Sequence, residues 1–134
     1  MAQKTPPPHQ RAEALITPEI TRLLDAQNIS VLIEDLERRV LLVNPAFCEL
    51  FELQVVPEDM LYRDCSDELQ QACLMFEDPF VFVQFVESAL ASRERSSSRP
   101  LPTKMGFSME VTYVPLFTGG LLGGHLWFHQ KLPA

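Results

Sequence analysis

The chain has 134 residues, of which 18 are acidic and 11 are basic, so its net charge is −7. This length suits one domain with its own hydrophobic core, without help from a disulfide or a metal. The acidic balance argues against nucleic acid as a partner, because neutralising phosphates requires clustered lysine and arginine. The longest uncharged apolar runs fall well short of the roughly 20 residues that span a bilayer, so we expect no membrane contact by this segment.

The cysteines indicate the redox compartment. Cys48, Cys65 and Cys73 form no C-x-x-C pair, and their number is odd. This usage is typical of reduced thiols. The amino terminus also lacks the apolar run of a secretory signal. We therefore expect a cytoplasmic protein.

The amino-terminal part of the chain predicts a tail followed by a short helix. Residues 1–17 are rich in proline and polar side chains, which is typical of a flexible segment. Thr17 and Pro18 then supply a cap and a first-turn proline for a helix over 18–27. The apolar residues of this helix follow at helical spacing and form one stripe: Ile20, Leu23 and Leu24.

Two runs rich in β-branched residues come next and predict a hairpin. They cover 29–33 and 40–43 and are separated by a charged stretch over 34–39. Asn44 and Pro45 repeat the cap-then-proline signal, so a short helix is expected to begin directly after the second strand.

The rest of the chain predicts helices first and strands afterwards. A short helix is expected around 69–76 and a longer one over 78–93. Three strands are then expected over 101–105, 107–116 and 122–129. Segregated strands and helices predict an α+β domain with a five-stranded antiparallel sheet and helices over one face. We expect this domain to cover 18–130, with a short tail over 131–134.

Four segments carry a family resemblance. They are Val43-Asn44-Pro45-Ala46-Phe47-Cys48-Glu49-Leu50-Phe51, the helix start Asp78-Pro79-x-x-Phe82, Met109-Glu110-Val111-Thr112-Tyr113-Val114-Pro115-Leu116, and Gly124-His125-Leu126-Trp127-Phe128. In this order and spacing they make the chain resemble PAS domains of bacterial sensor proteins, especially sensor histidine kinases. The resemblance implies a sheet and helices around a pocket for a small molecule or cofactor, or a module that supports only dimerisation and signal relay.

The chain departs from the PAS pattern in two places. Many PAS domains have an Asp-x-x-Gly turn in the first hairpin, but this chain has Asp35-Leu36-Glu37-Arg38, which predicts a longer or differently shaped turn. Many also end in an Asp-Ile-Thr triplet that couples to a signalling helix, where this chain has Gln130-Lys131-Leu132. An output domain, such as a histidine kinase of a two-component system, is expected in the same or another chain.

The aromatic residues suggest a binding pocket. The resemblance implies that Leu126 and Phe128 point into it, and several phenylalanines fall on inferred inner faces. The predicted lining is Phe47, Phe51, Phe76, Phe82, Phe85, Leu126 and Phe128. Each large ring buries roughly 150 to 250 Å². We expect the rings to fill the cavity or nearly fill it, with a small apolar pocket as the alternative.

Candidate cofactor residues give weak signals. If Leu126 and Phe128 face the pocket, His125 and His129 face away from it, which argues against haem. The same two histidines make an incomplete metal site, so no metal is expected. The surroundings of Cys65 and Cys73 do not match the Asn-Cys-Arg-Phe-Leu-Gln helix of covalent flavin domains. Non-covalent flavin remains an alternative.

Trp127 suggests an interface. Its parity is opposite to that of Leu126 and Phe128, so we expect it on the outer face of the sheet. An exposed indole there needs a cover, and the helix over 18–27 is the candidate. In PAS domains such a helix often carries a dimer contact, so we expect a homodimer through the stripe Ile20, Leu23 and Leu24 and through Trp127.

The function predicted from these observations is a non-catalytic sensory or interaction module. It would bind a small apolar ligand, or mediate dimerisation and signal relay. The alternative is a small cone-shaped α+β enzyme of the ketosteroid-isomerase type, which needs an ionisable pair aimed into its cavity. The predicted lining is aromatic and aliphatic instead, so no catalytic residue is expected.

Overall fold

The computed structural model describes residues 13–26 and 28–133. Residues 1–12, for which the sequence predicts a flexible segment, lie outside the described ranges. The helices lying wholly within them are α1 (Pro18–Asp25), α2 (Pro45–Leu50), α3 (Cys65–Ala72) and α4 (Pro79–Ser92), with 3₁₀ turns at Pro57–Met60 and Cys73–Met75. The strands are β1 (Ser30–Asp35), β2 (Val40–Val43), β3 (Ser96–Ser97), β4 (Leu101–Pro102), β5 (Ser108–Thr118) and β6 (Leu121–Leu132).

The strands form one antiparallel sheet in the order β2-β1-β6-β5-β3, and β4 also pairs with β5. The predicted α+β fold is therefore confirmed, with six strands instead of five. The extra strand arises because the edge position is shared by two short strands, β3 and β4. Pro100 and Pro102 lack an N–H group, which shortens regular pairing along this edge.

Caps and prolines set the helix starts as the sequence predicts. Thr17 Oγ1 accepts a hydrogen bond from Ile20 N at 3.2 Å, and Asp78 Oδ1 accepts one from Phe80 N at 3.1 Å. Asn44 caps α2 and is completely buried. Helices α2, α3 and α4 pack on one face of the sheet, which we call the inner face.

A β-bulge in β2 decides which of its residues reach the inner face. Ile33 pairs with Leu42 while Glu34 pairs with Val40, so Leu41 is the extra residue. Val40 and Val43 consequently both belong to an inner cluster, whereas Leu41 and Leu42 belong to the cluster on the opposite, outer face.

A second bulge reverses the predicted parity of β6. Gly119 and Gly120 form the tight turn with φ of 57° and 80°. Leu116 pairs with Gly124 and Phe117 with Leu122, which leaves Gly123 as an extra residue. One extra residue moves every following side chain to the other face. The predictions that Leu126 and Phe128 face inward and that Trp127 faces outward are therefore wrong.

The outer face is an apolar surface partly covered by α1. Its buried residues are Val31, Ile33, Leu41 and Leu42, and packed against them are Ile16, Leu24, Leu116, Leu126 and Phe128. Helix α1 therefore lies against the outer face, as the sequence predicts, where Leu24 packs on its buried residues, but Trp127 is not on that face. Ile16, expected in the tail, packs on this face, and β6 continues past residue 130 to Leu132.

Candidate functional site

A cavity of about 60 Å³ lies between the inner face of the sheet and the helices. We call it the inner cavity. Most of its wall is aliphatic, aromatic or thiol, and Arg38, Glu68 and His129 are the charged or polar exceptions. The wall consists of Leu32, Arg38, Val40, Phe47, Phe51, Met60, Cys65, Glu68, Leu69, Ala72, Phe82, Val86, Trp127 and His129.

The predicted pocket residues are distributed over three places. Phe47, Phe51 and Phe82 line the inner cavity. Phe76 stacks on Phe82 with ring centroids 4.3 Å apart and belongs to the core beside the cavity, as does Phe85. Leu126 and Phe128 lie on the outer face and do not reach the cavity.

The cavity is nearly filled by side chains. A volume of about 60 Å³ is less than half of the roughly 150 Å³ of an apolar cavity that holds one benzene molecule. Pockets for drug-sized ligands or cofactors usually measure roughly 300 to 1,000 Å³. The inner cavity is smaller than this range and suits a ligand of a few atoms.

Glu34 is the polar group that sequence patterns do not place at this site. Glu34 lies near the end of β1, in the charged stretch over 34–39, where charged side chains are normally exposed to solvent. The Glu34 side chain is nevertheless completely buried, with an exposure of 0%. Its Oε1 accepts a hydrogen bond from Trp127 Nε1 at 3.0 Å and forms an ion pair with Arg38 Nε at 3.3 Å. Its Oε2 is buried and has no partner with hydrogen-bond geometry among the described residues. Burial raises the pKa of Glu34, while the Arg38 charge acts in the opposite direction.

Arg38 occupies the position of the glycine in the usual first-hairpin turn. The predicted longer turn does not form. Arg38 instead adopts φ of 63°, which is the left-handed region that glycine favours. Asp35 Oδ1 holds the turn by accepting hydrogen bonds from the N–H groups of Glu37 and Arg39, both at 2.9 Å. The substitution places a guanidinium group at the cavity wall.

The Cys65 thiol lies beside the same carboxyl group. Burial and the Glu34 charge raise the pKa of this thiol, so it stays protonated. Arg38 also reaches the start of α3, where its Nη1 donates to Ser66 Oγ at 3.3 Å. The β1–β2 turn and the start of α3 thus meet at one polar cluster, formed by Glu34, Arg38, Cys65 and Trp127.

Both strand histidines face inward, contrary to the prediction, because the bulge at Gly123 changes their side. His129 lines the cavity, with its Nδ1 3.3 Å from Ser30 Oγ, and burial lowers its pKa to about 3. His125 Nδ1 lies 2.7 Å from the Tyr113 hydroxyl, and burial lowers its pKa to about 4. Among the described residues, no three His, Cys, Asp or Glu side chains are grouped to hold a metal.

Comparison with known proteins identifies the family. A family model described as a PAS domain matches residues 19–86, just over half of the chain. The chain therefore belongs to the PAS domain family, whose members are sensory modules. No curated protein matches the chain.

Solved PAS structures share the fold. The PAS domain of Bordetella pertussis BvgS is 19% identical, with coverage of 87% of this chain and 85% of that one and a TM-score of 0.63. A sensory box sensor histidine kinase from Vibrio cholerae is 14% identical, with coverage of 87% and 91% and a TM-score of 0.59. An RNA-binding light-oxygen-voltage receptor is 20% identical over 89% of this chain, with a TM-score of 0.62, and this chain spans 34% of its length. At these identities the likeness shows the fold.

The described part of the chain contains no helix that is both long and apolar enough to cross a membrane.

Proposed function

We propose that this chain is the input module of a bacterial signalling protein and that its inner cavity binds a small, mainly apolar molecule. The observation that carries the proposal is the cavity itself, an apolar space of about 60 Å³ between the sheet and the helices of a PAS fold. Removing apolar surface from water contributes about 25 cal/mol per Å². Such a cavity therefore favours a ligand of a few carbon atoms over water.

The signal would pass to an output domain in the same or another chain. One of the similar structures supports a sensor-kinase context, since it is a sensory box sensor histidine kinase from Vibrio cholerae. A cytoplasmic location is part of this proposal. It is supported by the three cysteines, which are all buried and unpaired.

A homodimer through α1 and the outer face is the second part of the proposal. Leu24 of α1 packs onto the sheet, while Ile20 and Leu23 on the same helix are exposed. Trp127, first expected at this interface, lies on the inner face and belongs to the ligand site. A dimer would bury the exposed part of the α1 stripe without altering the inner cavity.

The enzyme alternative has no support from the site. A ketosteroid-isomerase type of mechanism needs an acid and a base aimed together into the cavity. Glu34 is engaged by Trp127 and Arg38, and His125 is engaged by Tyr113.

Xenon binding tests the cavity proposal, because xenon enters small apolar cavities without needing a polar partner. Under xenon pressure, methyl resonances of Leu32, Leu69 and Val86 should shift, whereas those of outer-face residues should stay constant. Val86→Met should reduce the shifts by filling the cavity, and Val81→Met on the exposed side of α4 is the matched control. Native mass spectrometry of freshly purified protein should in addition show a retained small molecule. Constant cavity resonances together with no retained mass would refute the proposal.

A further inference from the structure

Glu34 lies directly behind the wall of the inner cavity. Three of the cavity residues, Arg38, Cys65 and Trp127, are also the neighbours of the Glu34 carboxyl group. A ligand that moved one of these side chains aside would therefore reach a buried carboxylate. Among the three, Trp127 is fixed in the core and Cys65 begins α3, whereas Arg38 is on a surface turn.

The charge of Glu34 is only partly compensated. Both partners, Trp127 Nε1 and Arg38 Nε, contact the same oxygen, Oε1. The other oxygen, Oε2, is buried and has no partner with full hydrogen-bond geometry among the described residues, although the Cys65 thiol donates toward the same carboxyl group. A buried carboxylate is stable when both oxygens accept hydrogen bonds or meet a positive charge. The site therefore has an unused acceptor for a donor that comes from outside the domain.

Arg38 is a partly exposed partner that meets Glu34 through one nitrogen. It contacts Glu34 through Nε at 3.3 Å and not through the two-pronged geometry that makes arginine–carboxylate pairs strong. Its Nη1 donates to Ser66 Oγ at 3.3 Å, and its side chain is 20% exposed on a surface turn, so the guanidinium group has a path to water. A better-placed cation could replace it.

We propose that the ligand of the inner cavity is a small apolar molecule that carries one protonated amine, and that its ammonium group takes the place of Arg38 against Glu34. This inference rests on the proposed function for the presence of a cavity ligand. An ammonium group has three donors, enough to reach both oxygens of the carboxylate. The apolar body would lie against Phe47, Leu69 and Phe82. An anionic ligand is disfavoured, because Glu34 would repel it from the same wall.

The size of the ligand follows from the space. The cavity offers about 60 Å³, and displacement of the guanidinium group adds the room of a few more atoms. A molecule of roughly five non-hydrogen atoms fits this space. Isobutylamine and isobutanol are suitable probes, because they share one shape and differ in charge at neutral pH.

The first experiment compares these two probes on the wild-type chain. Trp127 is the only tryptophan of the chain, and its indole is bonded to Glu34, so its fluorescence reports events at this carboxyl group. With ionic strength matched by sodium chloride, isobutylamine should bind at least tenfold more tightly than isobutanol. Equal affinities, or tighter binding of the alcohol, would overturn the proposal.

The second experiment removes each charge in turn. Glu34→Gln should abolish the preference for the amine, whereas Glu37→Gln, an exposed change in the same turn, should preserve it. Arg38→Ala removes the competing cation, so the amine should bind at least threefold more tightly than in the wild type and should raise the melting temperature more than the alcohol does. Arg39→Ala is the matched control and should leave amine binding unchanged. If Glu34→Gln does not fold, the Arg38→Ala comparison still decides, and an unchanged amine affinity there refutes the proposal.

The outcomes separate this inference from the proposed function. Binding of isobutanol and xenon without any preference for the amine would refute the role of Glu34 and leave the cavity proposal intact. If xenon, isobutanol and isobutylamine all fail to bind, this inference and the proposed cavity function are both refuted.

Discussion

A buried histidine on the inner face links the stability of this domain to pH. Burial lowers the pKa of His129 to about 3, while the same side chain titrates near 6.5 in the unfolded chain. As the pH falls below about 6.5, the unfolded state takes up a proton that the folded state refuses, so the free energy of unfolding decreases. His125, with a pKa of about 4, acts in the same direction. Glu34 acts in the opposite direction, because its raised pKa lets the folded state bind a proton first.

We expect His129→Gln to flatten this pH dependence. The wild-type free energy of unfolding should fall with decreasing pH, and the variant should lose a slope of about 1.4 kcal/mol per pH unit between about pH 6 and pH 4. Glutamine is neutral throughout, and its amide can still reach Ser30. Urea unfolding at several pH values measures the slope. Gln130→His adds an exposed histidine on the same strand and serves as the control, which should keep the wild-type slope. Identical slopes for His129→Gln and the wild type would contradict the placement of this ring.

At the scale of elements, Asn44 joins three parts of the chain. Its Oδ1 accepts hydrogen bonds from Val31 N at 2.9 Å and Phe47 N at 3.1 Å. Its Nδ2 donates to Leu24 O at 2.9 Å and Ile29 O at 2.8 Å. The side chain thus connects α1, β1 and α2 while remaining completely buried. The short helix α2, only six residues long, depends on this cap for its position beside the inner cavity.

Asn44→Ala should therefore destabilise the domain by about 2 to 4 kcal/mol. The change removes a helix cap and leaves the buried Val31 N–H and the Ile29 carbonyl without this partner, while Phe47 N–H keeps the backbone oxygen of residue 44 and Leu24 O keeps Ala26 N–H. Asp78→Ala is the matched control, because Asp78 caps α4 through one bond in an exposed setting and should cost only about 1 kcal/mol. Chemical denaturation with an unchanged m-value measures both. Equal losses for the two variants would show that Asn44 is no more than a cap.

At the scale of the whole molecule, local sequence signals predict where helices and strands form, but not on which face of the sheet each side chain lies. Thr17-Pro18 and Asn44-Pro45 mark real helix starts, and the β-branched runs mark a real hairpin. These predictions succeed because capping and turn formation depend on neighbouring residues. The faces are not predicted in the same way, because the extra residues Leu41 and Gly123 shift the strand register and only the observed strand pairing reveals them.

The same two bulges explain which parts of the site the sequence predicts. Phe47, Phe51 and Phe82 are on helices, where the apolar stripe identifies the buried face without knowledge of strand register. For Trp127 and His129 on β6, the predicted outward side followed from the family resemblance, which implied that Leu126 and Phe128 face inward. The strand register after the bulge places Trp127 and His129 inward instead. Glu34 is missed for another reason: its burial depends on Trp127, which is 93 residues away in the chain.

The α1 stripe gives the last prediction, which concerns assembly. Ile20 is 39% exposed and Leu23 is 59% exposed, on a helix that already packs on the outer face through Leu24. A second copy could bury this stripe symmetrically, and contacts of this kind have dissociation constants on the order of micromolar. We therefore expect a dimer in sedimentation velocity at about 50 μM protein. Leu23→Asp should shift it to monomer, whereas Leu74→Asp, at a leucine with 60% exposure away from α1, should leave the dimer intact. A wild-type protein that remains monomeric at this concentration would remove the dimer from the proposed function and leave the inner cavity as its remaining support.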